Sequence, residues 1–125
     1  MVIDEQKSQD HYQIRGYDQE SVTINTTRYT QSLIIGRQTL IVPWRPTRFE
    51  EIIPEDWEAV FAQSPQVVLV GTGPRAKQPP PEWNAHFHAR HIGVEWMETG
   101  AACRTFVALA SEKRGVVAAL LLQDQ

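Results

Sequence analysis

The sequence predicts a mixed α/β (α+β) fold, with antiparallel strands first and a β-α-β-α-β unit after them. Three observations predict it. Val67-Val68-Leu69-Val70 is an uninterrupted apolar run that stops at Gly71-Thr72-Gly73. Beyond it, helical and strand patterns alternate out to Leu122. Before it, Tyr12 to Val42 is rich in the β-branched and aromatic residues that fit a pleated surface.

Residues 1–10 are polar and mixed in charge and are expected as a flexible N-terminal tail ahead of a single domain over 11–123. Ser21-Val22-Thr23-Ile24 alternates apolar with small polar residues, Asn25-Thr26 suits a turn, and Arg28 to Ile35 favours strand. Gly36-Arg37 punctuates before a short strand over Gln38 to Val42. Pro43 and Pro46 then break regular structure, because proline cannot donate to a ladder.

Pro54 opens a short helix with Glu55 and Asp56 in its first turn, where acidic side chains suit the free N–H groups. Trp57, Val60 and Phe61 fall on one face, and Ser64-Pro65 ends the helix. The run Val67–Val70 reads as a strand buried on both faces. A proline-rich loop spans Gly73 to Pro81. Glu82 to Arg90 reads as a helix with Trp83 and Phe87 on one side, and Ile92 to Met97 as a strand.

A second helix is expected to start at Thr99, whose hydroxyl suits a cap, with Ala102, Phe106, Leu109 and Ala110 as its apolar stripe. Lys113-Arg114-Gly115 ends it, and Val116 to Leu122 is the last strand. Right-handed crossovers place the three last strands parallel. Gly71-Thr72-Gly73 and Glu98-Thr99-Gly100 should therefore lie together at one end of the sheet.

A formal net charge of -3 argues against a broad nucleic-acid footprint. Cys103 is the single cysteine, which rules out an intrachain disulfide. The first ten residues hold no signal-peptide core, and Val116 to Leu122 is far too short to cross a membrane. The expectation is a soluble cytoplasmic protein with no membrane insertion. Its oligomeric state is not legible in the sequence.

The first candidate site takes an anion or other small molecule at Gly71, Thr72 and Gly73, with Thr99 at a helix N-terminus and Arg75 and Lys77 nearby. Glycines there would admit a ligand to the backbone. A plain tight turn competes with this, since the third glycine of a dinucleotide fingerprint is absent. Cys103 and Arg104 extend the candidate. A thiol in the first turns of a helix is activated by the dipole, with His86, His88 or His91 as possible bases. Helical spacing with Val107 and Ala110 argues instead for a small buried hydrophobe.

His88 and His91 share a helical face while His86 points elsewhere, so no metal set converges and no cofactor is expected. No serine lies in a nucleophile-elbow motif, and no catalytic residue is assigned. Trp44, Arg45 and Arg48, with Phe49, form a candidate patch for a protein partner. The competing reading anchors Trp44 in the core.

Val67 to Gly73, Gly93-Val94-Glu95, Ala102-Cys103-Arg104-Thr105-Phe106 and Val117-Ala118-Ala119-Leu120 together resemble the Mth-938-like family, domain of unknown function family 498. The resemblance covers about residues 10–122 and departs from the family at Val107, where asparagine is frequent. It implies a three-layer β/β/α fold with helices on one side. The family's mitochondrial relative, complex I assembly factor 3, implies a non-enzymatic accessory role through protein contact. It carries no catalytic residues over. The alternative is a small-molecule-binding protein or enzyme using the cleft between the two glycine corners.

Overall fold

The computed structural model describes residues 2–3, 11–112 and 115–123. Nine strands fall in two sheets among these residues: β1 Val2–Ile3, β2 Ile14–Tyr17, β3 Val22–Ile24, β4 Thr27–Tyr29, β5 Leu33–Gly36, β6 Leu40–Val42, β7 Val67–Gly71, β8 Gly93–Met97 and β9 Val116–Leu120. Three α-helices accompany them: α1 Glu58–Phe61, α2 Pro81–Ala89 and α3 Thr99–Ser111. Short 3-10 turns cover Phe49–Glu51 and Pro54–Trp57.

The larger sheet runs β1-β6-β5-β9-β7-β8, and the smaller is the meander β2-β3-β4. β7 pairs in parallel with both β8 and β9, so the last three strands are co-directional as expected. β9 in turn pairs antiparallel with β5, which joins the two halves of the chain.

Period-2 alternation sends successive side chains of the central strands to opposite faces. Leu69, Ala118, Leu120, Leu33 and Ile35 meet Ile14, Val22 and Ile24 of the small sheet and Phe106 of α3. Val68, Val70, Val117, Ala119 and Ile34 meet Trp57, Val60, Trp83 and Phe87 on the other face. Both faces are covered, which explains why β5 and β9 are buried at every position.

Helices thus lie on both sides of the sheet, not on one. The strand order β9-β7-β8 is the reason. The first crossover steps outward from β7 to β8, and the second steps back past β7 to β9. Two right-handed crossovers in opposite directions put α2 and α3 on opposite faces.

Other expectations change in detail. The stretch Arg28 to Ile35 divides into β4 and β5, which belong to different sheets. Within the expected tail, Val2–Ile3 pair antiparallel with β6, as β-branched residues beside an open sheet edge can. The expected charged helix end at Lys113-Arg114 lies outside the described residues. Val107 is 47% exposed and leaves the core stripe of α3.

All four tryptophans join one aromatic cluster on the α2 face. Trp57 sits 5.6 Å from Trp44, 5.7 Å from Trp83 and 5.6 Å from Trp96, mostly edge to face. Trp44 is therefore buried, and its indole N–H donates to the Asp56 carbonyl at 3.1 Å. Arg45 grips the Asp56 carboxylate through two bonds of 2.8 and 2.7 Å. Trp44 therefore adds no surface to the patch expected with Arg45, Arg48 and Phe49, because its indole is packed in the aromatic core. Arg45, though held by Asp56, and Arg48 both remain exposed.

Candidate functional site

The two glycine corners meet, as the parallel strands require. Thr72 donates its N–H to the Met97 carbonyl at 2.8 Å, and Thr99 donates its N–H to the Gly73 carbonyl at 2.8 Å. The Thr99 hydroxyl oxygen accepts from the Gly73 N–H and donates to the Leu121 carbonyl, both at 2.9 Å. Thr99 is thus a buried clamp across three segments rather than the helix cap expected from its position.

Close approach explains the glycines. A Cβ on Gly71 would stand 2.9 Å from the Thr99 hydroxyl and 3.0 Å from its Cα. Gly73 has φ 106°, a conformation that glycine adopts without strain. Thr72 is buried, and its hydroxyl holds the loop by donating to the Arg75 carbonyl at 2.6 Å and accepting from the Lys77 N–H.

The cap of α3 is Glu98. Its carboxylate accepts from the Ala101 N–H at 2.7 Å and the Gly100 N–H at 3.3 Å. The Ala102 N–H bonds the Glu98 carbonyl. Every early N–H of the helix therefore has a partner, and none remains to cradle an anion. The backbone N–H groups expected to hold an anion at the start of α3 are therefore occupied by the protein's own acceptors.

A cleft of about 310 Å³ nevertheless opens beside the corners. Gly73, Thr99 and Arg104 line it, whereas Gly71, Thr72, Arg75 and Cys103 do not. Cys103 is fully buried; burial pushes its thiol up to about 12, Glu98 adding to the rise and Arg104 opposing it. Such a thiol is a core group, not a nucleophile. His86, His88 and His91 are exposed on or just after α2, on the opposite face of the sheet from Cys103.

The wall facing α3 comes from the β2–β3 turn, through Tyr17, Asp18 and Gln19. Arg104 donates to the Tyr17 hydroxyl at 2.5 Å, and this bond holds its guanidinium above the ordinary range. Gly100 makes room for the ring, since a Cβ there would lie 3.0 Å from the Tyr17 Cε2.

A family model described as a protein of unknown function (DUF498/DUF598) matches residues 14–121. The chain belongs to the DUF498/DUF598 family. The "13 kDa major membrane protein" of Francisella tularensis subsp. holarctica (strain LVS) is 26% identical over 93% of the chain and 95% of its own length. NADH dehydrogenase (ubiquinone) 1 alpha subcomplex assembly factor 3 of Bos taurus is 30% identical over 86% of the chain. The chain spans only 59% of the length of that assembly factor. A Bordetella pertussis protein described as a Mth938-like domain superimposes with a TM-score of 0.77 at 26% identity, covering 100% of the chain and 94% of its own. The three-layer Mth938-like fold expected from the sequence is therefore the fold of this DUF498/DUF598 member.

Among the described residues, no helix is long and apolar enough to cross a membrane. Sequence reasoning missed the Tyr17 side of the cleft and the capping role of Glu98. The run Tyr17-Asp18-Gln19-Glu20 carries turn chemistry, but nothing in it points to a helix 87 residues away. Glutamate ranks below threonine as a cap, which is why Thr99 drew the assignment.

Proposed function

We propose that the chain is a non-enzymatic accessory protein that assists assembly of a respiratory NADH dehydrogenase through protein–protein contact, from the cytoplasmic side. The observation that carries this reading is the 30% identity to an assembly factor over 86% of the chain. The site chemistry supports it. The corner hydroxyls and N–H groups are bonded within the fold, and the single thiol is buried with its ionisation pushed up to about 12.

The test is genetic and biochemical. The gene is deleted in a host that carries both this chain and a respiratory NADH dehydrogenase. Assembled complex is then measured on native gels, with and without the wild-type gene restored. The expected result is loss of assembled complex, with subcomplexes accumulating, and recovery on restoration. Unchanged assembly in the deletion strain overturns the proposal. Fractionation tests the location: recovery of the chain outside the cytoplasmic face overturns that part.

A further inference from the structure

The cleft beside the glycine corners occupies a specific topological position. β7 and β8 are parallel neighbours, yet the chain leaves β7 toward α2 on one face and leaves β8 toward α3 on the other. Adjacent connections that part in this way open a crevice at the carboxyl edge of a sheet, where open α/β sheets bind their ligands. At about 310 Å³ the crevice is large enough for a small group.

Its charged groups differ in what they have left to offer. Glu98 is engaged by the first N–H groups of α3. Asp18 accepts from the Glu20 N–H and the Ser21 hydroxyl, and faces Arg28 at 3.8 Å. Asp18 is thus partnered by its own turn and by Arg28 of β4, and Glu98 by the backbone of α3. Arg104 is different. Its side chain is 61% exposed, with one hydrogen bond to Tyr17 and a loose approach to Glu98 at 3.6 Å. A guanidinium has five N–H donors in a planar fork, so most of them remain available.

The Tyr17 hydroxyl accepts from Arg104, which leaves its own proton to donate outward. The exposed Tyr17 ring, Pro74 and Leu121 supply apolar walls next to this pair of donors. A planar monoanion with an apolar body matches such a site. A dianion matches less well, because Glu98 lies so close.

We propose that this cleft recognises a carboxylate group, held by the Arg104 guanidinium and the Tyr17 hydroxyl. The carboxylate has two sources, the free C-terminus of a polypeptide or a small organic acid, and the experiment separates them. The inference stands apart from the assembly reading, since binding is measured on the isolated chain and either result leaves the gel assay untouched.

The test is a titration of the isotopically labelled full chain, followed by amide shifts at constant ionic strength. The probes are N-acetyl-alanyl-leucine, its C-terminal amide, and benzoate. The expected result is shifts confined to residues 17–19, 73–74, 98–104 and 121–123 with the acids and not with the amide. Tighter binding of the dipeptide identifies a polypeptide C-terminus; tighter binding of benzoate identifies a small acid. R104Q should weaken either acid by about tenfold or more, and Y17F severalfold. Both positions are exposed, so the variants retain the fold, which the same spectra verify. No shifts at roughly 10 mM acid, equal shifts with the amide, or unchanged affinity in R104Q overturns the proposal.

Discussion

Thr99 and Gly73 exchange two hydrogen bonds: the Thr99 N–H donates to the Gly73 carbonyl at 2.8 Å, and the Gly73 N–H donates to the Thr99 hydroxyl at 2.9 Å. The same hydroxyl donates to Leu121, so one side chain locks the ends of β7, β8 and β9 together. Thr99→Val keeps the shape and removes both hydroxyl contacts, leaving a buried N–H and a buried carbonyl without their partner. A loss of about 3 kcal/mol is expected in urea unfolding, against about 1 kcal/mol for Thr99→Ser, which keeps the hydroxyl. A Thr99→Val loss no larger than that of Thr99→Ser would show that the clamp contributes no more than the methyl.

Gly71 sits at the tightest point of the same corner. An added Cβ meets the Thr99 Cα and the Leu120 side chain at 3.0 Å, and the Thr99 backbone is fixed by its own hydrogen bonds. Gly71→Ala is therefore expected to cost about 1–3 kcal/mol. The urea midpoint should drop with an unchanged slope, since one methyl hardly alters the surface exposed on unfolding. An unaltered midpoint would mean that the corner has slack.

Cys103 faces the core between α3 and the sheet, with its thiol ionisation pushed up to about 12. On the order of one thiol in ten thousand is then ionised at pH 8 in the folded chain. Labelling by a disulfide reagent should be slow in native buffer, and urea should speed it up through opening of the fold. Stoichiometric modification within minutes under native conditions would contradict the burial.

The parallel unit was legible in the sequence because Val67–Val70 stops at Gly71 and Val116–Leu120 follows Gly115 as an unbroken apolar run, and burial on both faces of these two strands leaves no alternation to confuse the reading. The break between β4 and β5 was not. Thr30-Gln31-Ser32 contains neither glycine nor proline, and the flanking residues have one β-rich composition. Trp44 was ambiguous for a different reason. A tryptophan beside arginines suits a surface as well as a core, and only its packing on Trp57, far along the chain, decides for burial. The candidate site divided in the same way. Gly73, Thr99 and Arg104 were found through local motifs, whereas Tyr17 reaches Arg104 through the tertiary fold. Gly71 and Thr72 proved to build the corner rather than line the cleft.

Asp56 links the aromatic layer to the loop before it, through Arg45, the Ile53 N–H at 2.8 Å and its own carbonyl beneath Trp44. Burial pushes its carboxyl up, but the Arg45 hydrogen bonds and the Ile53 N–H outweigh that and hold it below the usual range. The folded-state value is thus lower than the unfolded one. Its stabilisation is complete above the unfolded value of about 4 and is lost as pH falls through the folded value. Asp18, Glu50 and Glu51 are lowered as well, so acid should destabilise the chain below about pH 4. Asp56→Ala should cost about 2 kcal/mol near neutral pH, where the pair is intact, and progressively less in acid. Urea midpoints of both proteins across this range check the claim. A difference that stays constant down to the lowest pH would assign the effect to packing instead of charge.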